Sequence, residues 1–101
     1  MKINIQDVNF NAEQALIDFT NERLGKVEHF FDRVIDVDVF LKLENTSSKE
    51  NKIAEIKVHV PKENVVVTKQ CKSFEEAIDT ACKAVERSLL KLKEKRSRKS
   101  V

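Results

Sequence analysis

Lys83, Arg87 and Lys91 recur every four residues near the end of the chain. In a helix, four residues rise about 6 Å. The three cations would therefore stand in a row at about the separation of successive phosphates along a nucleic-acid strand. Such a row neutralises several phosphates at once and releases their counterions. Residues 83–101 hold eight Lys and Arg against Glu86 and Glu94, a net of +6; the whole chain is +2, so residues 1–82 carry −4. A basic end on an acidic body points to a polyanionic partner, nucleic acid ahead of an anionic membrane. A Lys/Arg stripe is ordinarily just a solvated helix face. Here acids are few in the last turns, which raises RNA binding to stand level with that reading. Arg23 and Lys26 fall at the margin of another helix's apolar arc, where aliphatic stems pack and charged heads reach water. Spacing alone reads them as ordinary snorkelling.

Other chemistry is poorly represented. His29, His59, Cys71 and Cys82 show no C-x-x-C or H-x-x-x-H spacing, so no metal site is expected. A single glycine excludes a P-loop and a G-x-G-x-x-G turn. Asp36 and Asp38 share one strand face, a pattern commoner in solvated surfaces than in acid–base dyads. No catalytic residue, cofactor or small-molecule substrate is indicated, and the chain reads as a binding protein.

The elements that must position these cations belong to one domain. A chain of 101 residues leaves little room for two and buries roughly 60–65% of its unfolded surface. There is no apolar run of about 20 residues and no basic-then-apolar start of a signal peptide. With two lone cysteines, this gives the expectation of a cytoplasmic protein without a membrane partner.

Met1, Ile3 and Ile5 alternate with polar residues as a half-buried strand. Asn11 with Gln14 reads as an N-cap and capping-box partner. Leu16, Thr20, Leu24, Val27 and Phe31 follow at helical spacing, with Gly25 on the polar side. Val37, Val39, Leu41 and Leu43 form a second strand, and 45–51 an exposed loop. Ala54, Ile56, Val58 and Val60 make a third, and 61–64 turn into a fourth over 65–71. Ser73 and Glu76 cap a last helix with an apolar stripe of Phe74, Ile78, Ala81, Val85, Leu89 and Leu92. It is expected to fray near Lys95, giving a domain over 1–95 and a basic tail over 96–101. The fold class is α+β in the order β-α-β-β-β-α. The alternation leaves one sheet face wet, and two amphipathic helices can cover the other. The first crossover should join parallel neighbours and be right-handed.

Double-stranded RNA-binding domains share the β-β-β-α half but grip phosphate near the start of the last helix, where this chain has Glu75, Glu76 and Asp79. A closer likeness lies in Lys26-Val27-Glu28-His29-Phe30-Phe31-Asp32-Arg33-Val34. It resembles the K-L-E-x-Y/F-F-D-R-I segment of the ribosome hibernation-promoting factor family, also called ribosome-associated inhibitors. The opening strand, Ala77-Ile78-Asp79 and the Arg87, Lys91, Lys95 run support the likeness, which extends over 1–95.

The resemblance implies a four-stranded mixed sheet with both helices on one face. It implies binding to ribosomal RNA in the decoding channel of the small ribosomal subunit, blocking messenger RNA and tRNA. Carried over by position, Arg23, Lys26, Lys83, Arg87 and Lys91 are the RNA-binding candidates, with Arg33 and Lys95 beside them. All are read as exposed, so that their removal shifts stability by no more than about 0.5 kcal/mol. Long members of the family carry a further domain that pairs two ribosomes, which this chain, stopping at Val101, is expected to lack. A separate ribosome-dimerising factor as partner and the silencing of single ribosomes both stay open. The alternative from another class is a regulator whose helices bind an acidic protein.

Overall fold

A computed structural model describes residues 2–29 and 33–99, with side chains through Lys95. Lys2–Val8 (β1) and Asp36–Leu43 (β2) pair in parallel, with Ile3 opposite Val37 and Ile5 opposite Val39. Lys52–Val60 (β3) lies antiparallel to β2, and Glu63–Cys71 (β4) antiparallel to β3, giving the sheet order β1-β2-β3-β4. The β-α-β-β-β-α order and mixed sheet expected from the sequence are what the structure has. The turn between β3 and β4 is tighter than expected, because Val60 already pairs with Glu63. Pro61 fixes one turn residue, and Lys62 takes the left-handed backbone at φ 74° that closes the other.

One sheet face is the core. Val37, Val39, Leu41, Ala54, Ile56, Val58 and Val60 point into it from β2 and β3. The helix Gln14–Gly25 (α1) supplies Leu16, Thr20 and Leu24, continued by Val27 in the 3-10 turn Lys26–His29. Phe31 of the expected stripe lies outside the described residues. Thr20 is tolerated in the core because its hydroxyl donates to the Leu16 carbonyl at 2.8 Å. The helix Phe74–Lys99 (α2) covers β3 and β4 with Ile78, Ala81, Val85, Leu89 and Leu92. Cys82 is fully buried beside them.

Two helix boundaries differ from the sequence reading. α1 begins at Gln14, and Glu13 occupies the cap position without a side-chain cap. The expected Asn11 cap yields to tertiary contacts. Asp7 accepts a hydrogen bond from the Ala12 N–H at 2.7 Å, and the Phe10 ring stacks on Phe74 at 4.5 Å. Gln14 instead donates to Asp18 one turn on. α2 starts as expected, with Ser73 Oγ accepting from the Glu76 N–H at 3.2 Å. It runs on to Lys99, past the expected fraying point at Lys95.

Candidate nucleic-acid interface

Two contacts fix the relative direction of the helices. Phe10, just before α1, stacks on Phe74 at the start of α2, and Arg23, near the end of α1, reaches Glu86 further along α2. The helices run side by side in the same sense, so both point toward one pole of the molecule; α1 ends beside the middle of α2, near Glu86, and α2 continues to Lys99. The β3–β4 turn lies at that pole too, because an open groove of about 380 Å³ is lined by Glu63, Asn64, Val65 and Val66 together with Lys91 and Lys95. Lys26, at the C-cap of α1, sits at that helix's negative end, where Lys and Arg are favoured.

Most of the cations named from the sequence gather toward this pole. Lys26 is exposed on the 3-10 turn after α1, and Arg33 is exposed in the turn leading into β2. Arg87, Lys91 and Lys95 are exposed along α2. Among the described residues, Lys26, Arg87 and Lys91 make no ion pair. Lys83 is exposed but lies 3.2 Å from Asp79 on the preceding turn. Lys62 is exposed in the β3–β4 turn beside the groove; a hairpin turn's neighbours follow from packing, which spacing along the sequence does not give.

Arg23 departs from the expectation. Its side chain is only 14% exposed, and its guanidinium is engaged across the seam between the helices. Nε donates to Asp79 at 3.0 Å, while Nη1 and Nη2 donate to the two oxygens of Glu86 at 2.8 and 3.1 Å. The paired fork raises the guanidinium's proton affinity, first through Glu86, against an opposing cost of burial. The same contact, with help from Lys83, holds the Asp79 carboxyl below its usual range. The expectation that Arg23 is an exposed head is therefore corrected: its side chain packs between the helices, with carboxylates as its partners.

The uncovered sheet face carries the second polar constellation. His59 faces Asp36 across β2–β3, with Nδ1 3.1 Å from Asp36 and Nε2 3.5 Å from Asp38. One donor atom from each of the three residues lies within 4.8 Å of the others, a group that could hold a metal ion. Linear spacing missed it because His59 meets the aspartates only through strand register. Nearby, Lys57 sits over the Phe40 ring at 5.3 Å. No helix among the described residues is long and apolar enough to cross a membrane.

Comparison with known proteins gives a consistent picture. Residues 3–97 match the family described as Sigma 54 modulation protein / S30EA ribosomal protein. The chain is 32% identical over 95 residues to a ribosome hibernation promoting factor of Pseudomonas putida, covering 94% of this chain and 89% of that one. It is 32% identical over 101 residues to the ribosome hibernation promotion factor of Bacillus subtilis, covering 98% of this chain and 52% of that longer protein. In fold it is similar to a ribosomal subunit interface protein from Coxiella burnetii, with a TM-score of 0.83 and 18% identity over 93% of this chain and 99% of that one. It is also similar to the N-terminal domain of Thermus thermophilus Protein Y, with a TM-score of 0.78 and 24% identity over 91% and 99%.

Proposed function

Because the chain belongs to the Sigma 54 modulation protein / S30EA ribosomal protein family, we propose that it is a ribosome-binding hibernation factor that occupies the decoding region of the small subunit. It contacts ribosomal RNA through the basic pole and keeps messenger RNA and tRNA out. The observation that carries this reading is the Arg23–Glu86 contact between two helices running in the same sense: Lys26 follows it by three residues on one chain segment, and Arg87 and Lys91 by one and five on the other, with no carboxylate partner among the described residues. Lys83, Lys95 and Arg33 extend that surface, and Lys62 adds a cation from the sheet side.

The fold suits occlusion better than catalysis. A rigid sheet backs two helices, so the cations are held in place by the packed stripes beneath them and lose less freedom on binding. The negative end of α1 would repel phosphate if bare; Lys26 at its C-cap reverses that sign.

Cosedimentation with purified small and large subunits tests the proposal, followed by competition with messenger RNA and initiator tRNA. Binding to small subunits that either ligand displaces is the expected result. Equal binding to both subunits, or binding that neither ligand disturbs, overturns the decoding-region assignment. A stoichiometric acidic protein partner surviving nuclease treatment, with free ribosomes unbound, would replace the reading by one of protein regulation.

A further inference from the structure

The surface proposed to meet RNA contains two carboxylates, Asp79 and Glu86, on the flank of α2 that faces α1. They are seven residues apart, about two turns, and so lie nearly in line along the helix. Unpaired, they would stand beside Lys83 and Arg87 and repel a phosphate backbone. Arg23 reaches both. Three of its N–H groups are engaged, at 2.8, 3.0 and 3.1 Å, and the side chains of Arg23 and Glu86 are only 14% and 12% exposed. A phosphate could take this guanidinium only by displacing a bidentate carboxylate in a nearly closed seam.

We propose that Arg23 is a positioning residue and not a phosphate contact: it clamps α1 to α2 through Glu86 and Asp79 and cancels the carboxylates that would oppose RNA. This rests on the ribosome-binding reading above. With Lys83 paired to Asp79 at 3.2 Å, the seam holds two cations and two anions and is neutral. Removing Arg23 alone leaves it at −1; removing Arg23 and Glu86 together restores neutrality and the protein's net charge. The clamp also fixes where Lys26 emerges, three residues further on.

The test compares Arg23→Met, Glu86→Leu and their double variant with Arg87→Met, in affinity for small subunits across a salt series and in thermal melting. Arg23→Met should bind about fivefold more weakly, the scale of one charge about 4 Å from a phosphate in water. The double variant, neutral again but without the clamp, should recover the wild-type salt dependence and most of the affinity. Arg87→Met should flatten the log–log salt slope by about 0.7–0.9, one lost contact, with no rescue by Glu86→Leu. A double variant that stays weak and loses one contact's worth of slope overturns the proposal, since Arg23 would then be touching phosphate. If the wild type fails to bind small subunits, the ribosome reading falls by itself. The melting data then decide the clamp: strictly additive shifts for Arg23→Met and Glu86→Leu refute it, and a double variant less affected than their sum supports it.

Discussion

Replacing Lys26, Arg87 and Lys91 together by alanine removes three exposed cations that have no ion-pair partner among the described residues. If each neutralises one phosphate, the slope of log affinity against log salt should flatten by roughly 2 to 3. A rise from 50 to 200 mM salt is a fourfold change, so the variant's deficit should shrink by roughly 20- to 40-fold over that range. The control is Lys42→Ala/Lys49→Ala/Lys72→Ala, which removes the same formal charge. All three are exposed toward the opposite pole: Lys42 lies opposite Val8 near the end of β2, Lys49 in the loop that follows, and Lys72 between β4 and α2. Lys62 is unsuitable as a control because it stands beside the basic groove, and Arg23 is left out of the test variant because its removal loosens the helix seam. Both triple variants should keep their stability to within about 0.5 kcal/mol per site. The assay is small-subunit binding at four or five salt concentrations, with melting curves on the free proteins. Matching loss of affinity and slope in the two variants would refute a placed surface and leave only a net-charge effect.

Arg23→Ala should cost about 2 kcal/mol, between the small value of exposed ion pairs and the larger value of buried ones, and lower the melting temperature by roughly 10 °C. Because Asp79 is held below its usual range in the fold, its share of that stability is present above the ordinary carboxylate pKa. It fades as pH falls through the depressed value, so the gap between wild type and Arg23→Ala should narrow below about pH 4. Unchanged melting at pH 7 would show that the seam contributes nothing. Gly25→Ala should raise stability by about 0.5–1 kcal/mol, since a Cβ there meets nothing within 4 Å and the residue is exposed; a lower melting temperature would contradict this. Burial pushes the Cys82 thiol up to about 12. In the native protein at pH 7.5 it should therefore resist iodoacetamide and be alkylated only after denaturation, as peptide mass spectrometry would show. Rapid native labelling of Cys82 would contradict the buried seam.

Much of this fold is legible wherever one residue's neighbours in sequence decide its fate. Val37, Val39 and Leu41 alternate with Asp36 and Asp38, and only one register can bury the first set. The stripe from Ile78 to Leu92 names the buried side of α2, and Ser73 caps it through a local bond. The start of α1 is not legible in this way. Asn11 is a sound cap by type, but the Asp7 bond to Ala12 and the stacking of Phe10 on Phe74 hold the chain extended for two more residues. The first of these is a short-range contact of an unusual kind, and the second spans 64 positions.

The candidate site divides along the same line. Lys83, Arg87, Lys91 and Lys95 are visible as a four-residue repeat, but four residues turn about 400°, so the row drifts about 40° around the helix per step. Three steps carry it from Lys83, beside the α1 seam, to Lys95, beside β4. The row is therefore a spiral over α2 and not a straight line. It wraps over α2 from the end of α1 toward the β3–β4 turn, and the shared direction of the helices sets Lys26 toward the same half of the molecule. The same turn geometry explains Arg23. Asp79 and Glu86 differ by about 700°, within about 20° of two full turns, so one flank of α2 presents two acids in line. With the helices parallel, an arginine at the edge of α1 has both within reach. Type and spacing identify cations able to meet phosphate; the packing of one helix against another decides which of them have carboxylates as partners instead.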